Sequence, residues 1–117
     1  MAGPNPEALV ISWGTDTDLL DDPFSADVPA DSSGRFFTVE RTGGGSNFYQ
    51  DRPMIAVQAW APRRAEASEM IRDFEQAAWA ELRYHEQVAR LTFNTITHFP
   101  SADNKPRYQA LIELVTA

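Results

Sequence analysis

The residue types and spacings that would support chemistry are few, and each set breaks down on inspection. Bare backbone amides bind anions, so the run Gly43-Gly44-Gly45-Ser46-Asn47 invites a phosphate-loop reading. Such a loop continues into Gly-Lys-Ser/Thr and a helix N-terminus, whereas here Phe48, Tyr49 and a strand-like run follow. The same stretch is no nucleophile elbow, because Phe48 stands where G-x-S-x-G has its second glycine. Asp16, Asp18 and Asp27 fall at positions 1, 3 and 12 of a calcium loop, but Asp21 takes the place that requires glycine. His85 and His98 are the only histidines, and neither has an imidazole or thiolate at metal-ligand spacing. His85 instead suits the negative end of a helix dipole. Carboxylates such as Glu66 and Asp73 fall on the solvated side of a helix, where acid–base work has no pocket. The expectation is therefore a non-enzymatic protein with no catalytic residue, no cofactor and no metal.

The elements that carry these residues read as one α+β domain. At 117 residues the chain is long enough for a two-layer core. The absence of cysteine excludes disulfides and thiolate sites. The longest apolar run, Ala8 to Trp13 interrupted by Ser12, is far short of a membrane span, and no basic region precedes it as in a signal peptide. Ten basic residues against seventeen acidic ones leave a formal charge of −7, which argues against wrapping nucleic acid. The acid is concentrated early: Asp16, Asp18, Asp21, Asp22, Asp27 and Asp31 precede the first cation, Arg35. Residues 1–33 thus read as an acidic N-terminal arm and 34–117 as the core.

Within the arm, Pro6, Glu7 and Ala8 suit the start of a short helix that Gly14 would end, although Leu9, Ile11 and Trp13 also alternate as in an extended segment. A short strand around Phe24 to Val28 is compatible with the turn-rich sequence that follows. Arg35 to Thr42 has the period-2 pattern of a half-buried strand, with Phe37 and Val39 on one face. Gly43 to Gln50 reads as a long hairpin loop. After it, Ile55, Val57 and Ala59 share one face while Met54, Ala56, Gln58 and Trp60 share the other, marking a central strand apolar on nearly both sides. One face would take a helix and the other a further partner, such as a neighbouring subunit.

Pro62 opens a helix predicted to run to about His85, with Ala67, Ile71, Phe74, Ala78 and Leu82 on its buried stripe and Trp79 off it. Leu91, Phe93, Thr95, Thr97 and Phe99 then alternate against Thr92, Asn94, Ile96 and His98. Finally, Tyr108, Ala110, Ile112 and Leu114 alternate through Arg107 to Thr116. The predicted order is β-β-α-β-β: an antiparallel or mixed sheet of four to five strands with one long helix on a face.

Several segments, in order, resemble the tail terminator proteins of long-tailed bacteriophages, particularly those of actinobacteria. They are F-F-T-V-E-R-T-G-G-G, D-R-P, I-A-V-Q-A-W-A, P-R-R-A-E-A and N-K-P-R-Y-Q-A-L-I-E-L, spread over about residues 29 to 116. Order and spacing carry the match, since each piece alone is weak. The start departs from the family, whose members begin with a longer helix.

The resemblance implies a structural virion protein that closes into a hexameric ring on the tail tube, stops tube polymerisation and meets a head-side connector while DNA passes through without specific binding. It would be assembled in the host bacterial cytoplasm and reside in the virion neck. Another neck component of the head–tail joint is the neighbouring reading, and a small ligand-binding or hydrolytic domain the reading from a different class. The interface residues expected are Arg41, Gly43, Gly44, Gly45, Phe48, Tyr49 and Arg52 at the hairpin, and the large rings Trp60 and Trp79.

Overall fold

In a computed structural model of the chain, residues 5–31, 33–46, 51–98, 100 and 105–116 are described. They form a mixed five-stranded sheet with two helices packed on one face. The chain enters through α1 (Pro6–Asp16), whose first turn is capped by the Asn5 side chain accepting from the Ala8 N–H. Gly14 does not end this helix as the sequence suggested. It lies inside it, buried, where a Cβ would sit 2.5 Å from the Phe24 ring. Glycine is there for close packing, and the helix runs on to Asp16.

The short strand β1 (Phe24–Ser25) follows and pairs in parallel with β2 (Phe36–Ser46). β2 and β3 (Asp51–Trp60) form an antiparallel hairpin. Helix α2 (Arg64–Ala80) crosses the sheet, a 3₁₀ turn covers Leu82–Tyr84, and β4 (Val88–His98) and β5 (Arg107–Thr116) make the second hairpin. The sheet order is β1-β2-β3-β5-β4, with β5 inserted antiparallel between β3 and β4.

The two-sided apolar pattern of β3 is explained by its central place. Ile55, Val57 and Ala59 join the main core with Val39, Ile112 and Leu114 from the neighbouring strands. Ala67, Met70, Ile71, Phe74, Ala77 and Ala78 of α2 press onto that layer. Leu9, Val10 and Trp13 bring α1 alongside. Phe37 and Phe74 are wholly buried, each stabilising the fold by about 2–3 kcal/mol. An aromatic string runs through this core: Trp13 and Phe24 meet edge-on at 6.5 Å, Phe24 stacks on Phe37 at 4.5 Å, and Phe74 reaches Phe93 at 6.0 Å. The Glu81 carboxylate ties the two helices together by accepting from Trp13 Nε1 and Thr17 Oγ1.

Two irregularities depart from the sequence pattern. The register slips between Phe93 and Thr95, so Ile96 and His98, rather than Thr95 and Thr97, share the helix-side face with Leu91 and Phe93. α2 ends at Ala80, and the predicted continuation to His85 tightens into the 3₁₀ turn, which still buries Leu82.

Candidate interaction surface

The sequence-predicted interface residues do not converge on one place. Arg41, Gly43, Gly44, Gly45 and Arg52 do gather at the turn end of the β2–β3 hairpin. The glycines, however, are not in a loop: Gly43 pairs with Met54, Gly44 with Pro53 and Gly45 with Arg52. Strand pairing thus continues to Ser46 and Asp51, so Gly43 to Ser46 are strand rather than part of the long hairpin loop expected over residues 43–50. A register slip between Arg41 and Gly43 bends the strand just before the glycines. Arg41 Nε donates to the Gly43 carbonyl (3.1 Å), which holds its guanidinium against its own strand. Phe48 and Tyr49 lie outside the described residues.

Trp60 sits at the other end of β3, packed within its own chain. Only 6% of it is exposed. Its ring stacks on Phe36 at 5.5 Å, and Nε1 donates to Thr38 Oγ1 (2.9 Å). That hydroxyl donates in turn to Gln58 Oε1 (2.8 Å), and Gln58 Nε2 to Gln109 Oε1 (3.0 Å). Arg107 covers the Trp60 ring and Lys105 the Phe36 ring. Trp60 therefore anchors a polar ladder on the sheet face away from the helices. Among the described residues no helix covers that face.

Trp79 is where the sequence placed it, off the buried stripe and 37% exposed. It packs against Phe93 at 5.5 Å, which joins it to the end of the aromatic string. Two residues that the sequence reading did not single out complete the patch. Arg83 lies over both the Trp79 ring (5.6 Å) and the Tyr84 ring (4.6 Å), and Tyr84 is 70% exposed. The signal for Arg83 was its i,i+4 spacing from Trp79. Tyr84 was hidden by the assumption that the helix continued.

The two sheet edges differ sharply. The outer side of β2 is closed from Phe37 to Arg41, by β1, by the Pro23 carbonyl accepting from Phe37 N–H (2.8 Å) and by Glu7 accepting from Arg41 N–H (3.0 Å). On the far side, β4 is the last strand, and no described strand pairs with its outer edge. A long edge with unpaired backbone groups is a site for joining another chain, although its register slips twist it.

A shallow groove of about 240 Å³ is lined by Leu19, Asp73, Gln76, Ala77 and Ala80. It falls below the roughly 300–1,000 Å³ of small-molecule sites. His85 precedes β4 and His98 ends it, which separates them by about 30 Å at strand spacing. Among the described residues no group of three or more His, Asp or Glu is placed to hold a metal ion, and no helix is long and apolar enough to cross a membrane. No protein-family model matches the sequence, and neither does any curated protein.

Proposed function

We propose that the chain is a structural phage virion protein of the tail-terminator type. In this reading its copies close into a ring, hexameric by the family resemblance, that caps the tail tube, ends its polymerisation and joins it to the head-side connector. The protein acts by assembly and does no catalysis.

The observation that carries the reading is a small, fully packed domain whose unfinished surfaces suit other protein chains. One edge of its sheet is covered along the first half of β2, as far as Arg41, whereas no described strand pairs with the outer edge of β4 over its eleven residues. The exposed Trp79, Arg83 and Tyr84 beside that edge are residue types that concentrate binding energy at protein interfaces. A formal charge of −7 supports the same role, since an acidic ring repels the genome that passes through it and keeps it from adhering.

Sizing by light scattering followed by negative-stain imaging tests the proposal. Six-fold rings, alone or seated on tube ends, are expected. A chain that stays monomeric with and without tube, and binds a small ligand in the Leu19 groove, would overturn it.

A further inference from the structure

The four large apolar side chains most exposed among the described residues fall into two sets of opposite character. Trp79 and Tyr84 accompany a cation, Arg83. Leu19 (50% exposed) and Val28 (48% exposed) lie in the acidic segment, with exposed Asp18 and Asp21 close to Leu19 in sequence. The charge of the whole chain is polarised in the same way. Seven carboxylates and no cation occur before Arg35, and ten of each occur from there on, so the entire −7 resides in the first 34 residues.

The groove beside Leu19 is the second half of the observation. Its 240 Å³ is below the range of small-molecule sites, and it is open to the surface, where a side chain of another protein can lie in it. Leu19, Ala77 and Ala80 give it apolar lining, and Asp73 and Gln76 give it polar lining, so a shallow apolar patch lies beside a carboxylate and an amide. Tyr84 is its natural complement: an exposed ring on a short turn, with a guanidinium held over its face and donating to its hydroxyl (2.7 Å). That stacking orders Arg83 before any partner arrives, which lowers the entropy lost on binding.

We infer that Tyr84 of one copy of this chain enters the Leu19 groove of a second copy, with Arg83 meeting the carboxylates of Asp73, Asp18 and Asp21 there. The inference supplies a contact surface for the self-assembly proposed above and rests on that reading. The ring contributes burial and the charges contribute orientation, so association weakens as salt is raised. Because knob and socket are different parts of one surface, each copy presents both.

The test uses two variants of the full chain, each checked for unchanged circular dichroism. Tyr84→Ala removes the knob, and Ala80→Trp fills the socket from an exposed helix position. In sedimentation equilibrium each variant alone should self-associate roughly tenfold or more weakly than the wild type. Mixed in equal amounts they should form a pair, since one retains the socket and the other the knob. Arg83→Glu should also weaken association, and adding Asp18→Arg and Asp21→Arg to it should restore it in part. A wild type that remains monomeric at millimolar concentration overturns the inference. So do variants that associate as the wild type does, or a mixture no better than its components. Rings or capped tubes that form normally with Tyr84→Ala overturn this contact alone and leave the capping role standing.

Discussion

Replacing Gly14 with alanine pits a local preference against a tertiary contact, and the structure decides the winner. In the interior of a helix this change is favourable by about 1 kcal/mol. Here the new Cβ would lie 2.5, 2.6 and 2.7 Å from three atoms of the Phe24 ring, well inside contact distance. The ring has nowhere to retreat, because Phe37 stacks on it at 4.5 Å and Phe74 and Trp13 stand 6.3 and 6.5 Å away, centre to centre. Relief requires α1 to lift or β1 to shift, and overpacking of this kind costs about 1–3 kcal/mol, or more when backbone moves. Since the cost includes loosening of β1 from β2, we expect a net loss of about 1–2 kcal/mol and a fall in Tm of about 3–8 °C. Urea denaturation with the slope held common measures it. A double-mutant cycle with Phe24→Leu identifies the cause: in the smaller Phe24→Leu background Gly14→Ala should cost much less. A Gly14→Ala protein at least as stable as the wild type would refute the packing argument.

Other substitutions test the remaining structural assignments. Thr116 is buried with no hydrogen-bond partner for its hydroxyl, so Thr116→Val should raise stability by about 0.5–1.5 kcal/mol in the same denaturation assay. Trp60→Ala should lower stability by about 3–5 kcal/mol, because it removes a buried ring and leaves the Thr38 end of the ladder without its donor. Arg64 Nε donates to the Tyr108 hydroxyl at 3.2 Å, and this bond, ahead of the nearby positive charge, holds the phenol below its ordinary value of 10.0. A depressed acid favours the folded state above the unfolded pKa and loses that contribution as pH falls through the folded one. NMR titration of the Tyr108 ring should therefore show an early midpoint that Arg64→Gln moves up. Exchanging Asn47–Gln50 for Asn-Gly should leave the β2–β3 register and the melting temperature intact, because Ser46 and Asp51 already pair.

Much of the architecture was legible because burial writes a periodic pattern. The α2 stripe of Ala67, Ile71, Phe74 and Ala78 is buried as its spacing predicted, and the two-sided apolar character of β3 matched its central position. The failures share a cause: residues whose local preference was overruled by neighbours distant in sequence. Gly14 looked like a helix stop, but Phe24 needed the space its missing side chain leaves. Gly43 to Gly45 lack any strand signal of their own and are drawn into the ladder by Arg52 to Met54. The alternation along β4 could not reveal a bulge, since Thr95 and Ile96 both suit strands. Trp60 looked surplus because its partners Thr38 and Phe36 lie more than twenty residues earlier. The candidate surface was half legible for the same reason: Trp79 stood out by leaving the stripe, whereas Tyr84 emerges only once the helix is seen to end.

The claim that this chain finishes a tube is tested most directly by polymerising the tail tube protein with and without it and measuring tube lengths by electron microscopy. The account predicts that substoichiometric amounts stop growth and leave a six-fold density on one end of each tube. Tubes that grow to the same lengths in its presence, with bare ends, would contradict it.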